Sequence, residues 1–177
     1  GTGMPIYLDY NASTPIDPAV AAAMRPFLEV AFGNPSSGHW ASTPAKAALE
    51  QARGQVAALL GSAPEEIGFT SGGSEANNLA IKGTFFALKQ HKGAHIITTE
   101  VEHPAVLAPC EFLERLGGSV TYLAVDRTGR ADPEDVRRAI TPQTILISVM
   151  HANNEVGTIQ PIEEIGALAR EHGIRFH

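Results

Sequence analysis

From Ile67 onward, short apolar runs alternate with longer stretches of helical period. Residues 67–70, 95–98, 120–124, 144–149 and 174–177 have the length and β-branched content of strands. Between them, residues 74–90, 104–116, 133–140 and 162–172 repeat apolar positions at helical spacing, which predicts helices facing the sheet through Leu79, Phe86, Leu107, Phe112, Val136, Ile140, Ile165 and Leu168. Pro104 and Pro133 suit first helical turns, Asp132 suits an N-cap, and Gly117 and Gly173 follow helix ends. Strand, helix, strand units with short connections predict an α/β fold: a mostly parallel sheet with helices on both faces. Residues 1–66 differ, with extended 6–8, a helix from Pro18 that Pro26 should kink or end, a loop over 32–39 and a helix from Pro44 to about Leu60. They are expected to form a flanking arm, and residues 67–177 the first part of a large α/β domain.

Composition narrows the function classes. The chain has 177 residues, 44% of them apolar, which is enough for a real core. Thirteen Lys and Arg stand against 19 Asp and Glu, a formal charge of −6 without a basic cluster, so nucleic acid is not an expected partner. No apolar run reaches the roughly 20 residues of a membrane span and no signal-peptide layout opens the chain, so a cytoplasmic protein is expected. Gly1-Thr2-Gly3 before Met4 reads as an expression scar, which puts the native start at Met4. Cys110, the only cysteine, cannot form an internal disulfide, and His103, Cys110 and His151 lack the spacing of a zinc site, so no metal is assigned.

In a parallel sheet, ligands bind beyond the carboxyl ends of the strands, and three loops there are rich in polar groups. Ser71-Gly72-Gly73-Ser74-Glu75-Ala76-Asn77-Asn78 leads straight into a helix. Its glycines, the Ser74 hydroxyl and the free amides of the helix start suit a phosphate, although Ser74 also suits a simple N-cap. The loop fits neither the dinucleotide Gly-x-Gly-x-x-Gly pattern nor a P-loop, which makes a nucleotide the lesser reading. His103 at the end of the next strand suits stacking on a flat ligand and proton exchange, or plain helix capping. Asn153 and Asn154 suit hydrogen bonds to a ligand oxygen, or the tying of a turn. Glu155 suits a supporting role beside the ligand or the anchoring of a helix start, and His151 carries no assignment. One phosphate-bearing ligand accounts for all three loops.

These residues resemble the cysteine desulfurases and selenocysteine lyases of the class V, fold-type I pyridoxal-phosphate (PLP) enzymes. The resemblance rests on Tyr7-Leu8-Asp9-Tyr10-Asn11-Ala12-Ser13-Thr14-Pro15, Phe32-Gly33-Asn34-Pro35-Ser36-Ser37, the segment from Phe69 to Asn78, Glu102-His103, and Met150-His151-Ala152-Asn153-Asn154-Glu155-Val156-Gly157. It implies that Gly73 and Ser74 hold the PLP phosphate, that His103 stacks on the pyridine ring and relays a proton, and that Asn154 bonds the phenolic oxygen. Ser74 stands where many relatives carry threonine, which preserves the hydroxyl. The resemblance further implies a homodimer, a cysteine or selenocysteine substrate and a sulfur-accepting scaffold of iron–sulfur assembly. It places the pyridine carboxylate just past His177, with the Schiff-base lysine and nucleophilic cysteine later still. Lys46, Lys82, Lys89 and Lys92 are therefore not assigned that role, and Cys110 is expected to be buried packing. The 177 residues by themselves are expected to be an inactive amino-terminal fragment or a binding module. Other class V enzymes are the alternative for the whole protein.

Overall fold

A computed structural model describes residues 3–177, so Gly1 and Thr2 of the segment expected to be a scar lie outside the described residues. The chain divides into two compact units, one ending at Phe69 and one running from Thr70 to His177.

In the first unit, α1 (Pro18–Glu29) starts where the Asp17 side chain accepts from the Ala19 amide at 2.8 Å, and α2 (Thr43–Leu60) ends on Gly61 in the left-handed conformation, φ 68°. Pro26 does not end α1. The helix continues to Glu29, where the Pro26 carbonyl accepts from the amides of Val30 and Ala31 at 3.0 and 2.8 Å. Proline disturbs the turn before it, and one further turn closes on its own carbonyl. Residues 67–70 are not a strand either. The backbone at Ile67 is extended, but the Ile67 carbonyl accepts from the Arg53 side chain of α2, whose guanidinium also lies 5.1 Å from the Phe69 ring centre. Extended backbone becomes a strand only with a ladder partner, and a side chain takes that place here.

The second unit carries a parallel sheet in the order β2-β1-β3-β4, formed by β1 (His95–Thr99), β2 (Ser119–Leu123), β3 (Thr144–Ile147) and β4 (Arg175–Phe176). All five residues of β1 are buried, as a central parallel strand requires. The register on β3 shifts by one residue after His95, so that Ile96 pairs with Leu146 and Ile97 with Ile147. The pleat then sends Ile96 and Leu146 to a core with α3 (Gly73–Leu88) and α4 (Pro104–Arg115), built on Ile81, Phe85, Cys110 and Leu113. Ile97 and Ile147 join Val136, Ile165 and Leu168 of α5 (Pro133–Ala139) and α6 (Ile162–Glu171) in a second core. Helices thus cover both faces, as the sequence pattern predicts.

The pattern selects the packed stripe correctly on α5 and α6 and wrongly on α3. Leu79 and Phe86 are 63% and 49% exposed, while Ile81 and Phe85 are buried. Two apolar stripes run along that helix, and periodicity does not say which one meets the sheet. On α4, Leu107 and Phe112 are half-buried beside the fully packed Cys110 and Leu113. Asp132 caps α5 by accepting from the Glu134 amide at 2.9 Å, and Gly117 and Gly173 take positive φ after α4 and α6.

Candidate active site

The loops at the carboxyl ends of β1 and β3, and His177 after β4, converge with the first turns of α3. A cavity of about 250 Å³ is lined by Asn77, Glu102, His103, Ser148, Met150 and His177. A larger cleft of about 810 Å³ shares Glu102 and His103 and adds Asn153, Asn154 and the turn of residues 126–129.

The α3 helix begins at Gly73 with Gly72 at its N-cap, so Ser74 lies inside the first turn and is not the cap. A Cβ built on Gly72 or Gly73 would meet nothing within 4 Å, which leaves the backbone open to an approaching anion. Ser74 adds a hydroxyl to the amides of that turn, and its carbonyl accepts from Asn78 Nδ2 at 2.8 Å. The Glu75 carboxylate accepts from the Ser71 amide at 2.9 Å and the Ser71 hydroxyl at 2.5 Å, which hold its pKa below the ordinary range. Gly73 and Ser74 lie outside both linings, one helical turn before Asn77.

His103 is the N-cap of α4. Its Nδ1 accepts from the Ala105 amide at 3.0 Å, so the proton of the neutral ring sits on Nε2. The ring borders both hollows, and capping and ligand contact are therefore compatible at this residue. Asn154 lines the larger cleft with it. Asn153 does the turn-tying instead. It is 9% exposed, its Oδ1 accepts from the amides of Glu155 and Val156 at 2.9 and 3.0 Å, and its Nδ2 donates to the Val101 carbonyl at 3.2 Å. Glu155 sits in that turn, seven residues before α6, and so does not anchor the helix start.

Sequence reasoning gave no role to Glu102. Its carboxylate is 6% exposed, accepts from Thr99 Oγ1 at 2.6 Å and from the Met150 amide at 3.0 Å, and burial raises its pKa against both bonds. Gln160, 2% exposed, was missed as well: it accepts from the Ala131 amide at 2.9 Å and donates to the Gly129 carbonyl at 2.7 Å, fixing one wall of the larger cleft. Ser148 Oγ lies 2.8 Å from His177 Nδ1 across the end of the sheet. Apart from the local Glu102–Thr99 bond, these bonds span 29 or more positions of chain, and only the sheet order brings such partners together. Lys82 lies 4.3 Å from the Phe112 ring centre, Lys89 lies beside the rings of Phe85 and Phe86, and Lys92 donates to the Gly173 carbonyl. Among the described residues, no group of three His, Cys, Asp or Glu could hold a metal ion, and no helix is long and apolar enough to cross a membrane.

Residues 6–177 match the model of the aminotransferase class-V family. The cysteine desulfurase IscS of Dictyoglomus turgidum is 55% identical over 97% of this chain and 43% of its own length. A solved structure described as SspA in complex with cysteine superposes with a TM-score of 0.91 at 47% identity, over 97% of this chain and 49% of that one. A NifS-like protein gives 0.92 at 38% identity, over 98% and 48%. The chain thus spans about half the length of these relatives. Matched along nearly all of its sequence, the chain belongs to the class V aminotransferase family.

Proposed function

We propose that the whole protein is a PLP-dependent cysteine desulfurase. The observation that carries this reading is the cavity where α3, His103 and the segment after β3 meet, in a chain 47% identical to a structure holding cysteine. The residues fit the cofactor. The open first turn of α3, with the amides and hydroxyl of Gly73 and Ser74, takes the phosphate. His103 offers a flat ring to the pyridine and an Nε2–H to a reacting group, and Asn154 donates to the phenolic oxygen. When bound, PLP supplies the electron sink that weakens bonds next to the substrate's α-carbon. The chain's own part is to bind, orient and exchange a proton at His103. Overall, cysteine and an enzyme thiol give alanine and an enzyme persulfide: the substrate C–S bond and the enzyme S–H bond break, while an S–S bond and the new C–H bond of alanine form.

Lys82, Lys89 and Lys92 are engaged with rings or a backbone carbonyl, Lys46 lines neither hollow and Cys110 is fully buried, so we assign the cofactor-linking lysine and the sulfur-accepting thiol outside these residues. A homodimer that hands sulfur to an iron–sulfur assembly scaffold belongs to the same reading. So does a cytoplasmic address, since a thiol that carries persulfide works in a reducing compartment. The test is alanine release by the PLP-loaded whole protein. Turnover of cysteine is expected. Activity confined to selenocysteine would replace the desulfurase reading with a selenocysteine lyase, and failure to bind PLP would remove both.

A further inference from the structure

Glu102 stands where the turn after β1 meets the segment after β3. It is a carboxylate taken out of water and held by one hydroxyl and one amide, Thr99 Oγ1 at 2.6 Å and the Met150 N–H at 3.0 Å. Burying a carboxylate costs free energy, and an apolar side chain would fill the space without that cost. What an apolar side chain cannot do is accept from Met150. Asn153 returns the connection, its Nδ2 donating to the Val101 carbonyl at 3.2 Å. Neighbouring residues 101 and 102 are thereby tied to residues 153 and 150 by two bonds, both donated from the segment after β3, in which each segment supplies one side chain to the other's backbone. Glu102 immediately precedes His103 and Asn153 immediately precedes Asn154, so each member of the clamp adjoins a residue of the proposed cofactor site. Glu102 also borders both hollows.

We propose that Glu102 is a positioning residue: by holding the Met150 amide it fixes the separation of His103 and Asn154, with Asn153 as the reciprocal half of the clamp. This rests on the PLP reading of the site. A displacement of about 1 Å in such a site can cost on the order of a hundredfold in rate, so a clamp between two ligand-facing loops has leverage without touching the substrate.

The test uses the whole protein with and without PLP. Amide hydrogen exchange at Met150 in the apoprotein reads the clamp alone. Glu102→Ala is expected to raise it by about tenfold or more, and Glu102→Gln by less than about threefold, because a glutamine oxygen still accepts from Met150. In the loaded protein, Glu102→Ala is expected to weaken PLP binding about tenfold, shift the absorption band of the bound cofactor and lower kcat for cysteine more than it changes KM, with Glu102→Gln restoring each. Unchanged Met150 exchange in Glu102→Ala overturns the clamp. Faster exchange with wild-type PLP affinity and spectrum overturns the positioning role. Equal damage in folded Glu102→Gln and Glu102→Ala assigns the effect to charge and overturns it too. If Glu102→Ala does not fold, Thr99→Val, which removes one donor, is expected to move the same readouts in the same direction by about threefold, and no movement overturns the proposal. A wild-type protein that binds PLP without releasing alanine removes the proposed activity, while the exchange result stands or falls separately.

Discussion

A thiol reacts as its thiolate, and Cys110 is denied both access and ionisation. It is 0% exposed, and burial, followed by the charges of Glu114, Glu102 and Glu111, pushes its pKa up to about 12. It is therefore expected to resist thiol-specific reagents in the native protein and to react fully once unfolded. Labelling followed by intact mass, with and without denaturant, checks this. Ser74 makes the opposite case, an exposed hydroxyl whose proposed work is on a ligand. Ser74→Ala is expected to weaken PLP binding about tenfold, the scale of a hydrogen bond to a charged group, while Ser74→Thr stays near wild type. Spectral titration of the apoprotein reads both. The hydroxyl was legible in the sequence. Its place inside the first turn of α3 was not, because a serine beside two glycines reads equally well as a cap.

At the scale of elements, connections decide as much as propensities. Gly93 joins α3 to β1 with φ 148°, and a Cβ there would run into the backbone of Gln143, just ahead of β3. Gly93→Ala is expected to cost about 2–4 kcal/mol, combining left-handed strain with a clash against backbone that cannot move aside. Gly54 lies inside α2 with nothing within 4 Å of a built Cβ, so Gly54→Ala is expected to stabilise by about 0.5–1 kcal/mol. Chemical denaturation of the two variants should move in opposite directions. The sequence showed both glycines and could not rank them, since the close approach at Gly93 depends on a residue 50 positions away. The same limit explains α3. Its length was clear from the pattern, and its buried stripe of Ile81 and Phe85 was settled by the position of the sheet.

Across the whole molecule, His95 bridges three strands. Its Nδ1 lies 2.7 Å from Thr144 Oγ1 and its Nε2 lies 2.7 Å from Thr121 Oγ1, and burial lowers its pKa. The unfolded chain takes up this proton at the ordinary histidine value of about 6.5, whereas the folded state does so only at lower pH. The stability contribution is complete above that ordinary value and is lost as pH falls from it through the depressed folded value. Glu102 acts with the opposite sign: its raised pKa favours the folded state in acid, and that contribution fades as pH rises through the folded value. The urea midpoint is thus expected to be lower at about pH 5.5 than at about pH 7.5, and His95→Gln is expected to flatten the difference. An unchanged pH dependence in that variant would exclude His95 as its source.

The sequence by itself determined the α/β class, the four helices after Ser71, the strands beginning near His95, Val120 and Thr144, and the loops that carry Ser74, His103 and Asn154. Those features depend on local periodicity, capping and turn chemistry, which are written within a few residues of one another. Tertiary structure alone decided that β1 lies between β2 and β3, that residues 67–70 are held by Arg53 instead of a ladder, and that Glu102, Asn153 and Gln160 bind loops together. Each of those outcomes needs a partner distant in the chain, and one residue's chemistry does not name the partner that folding brings to it.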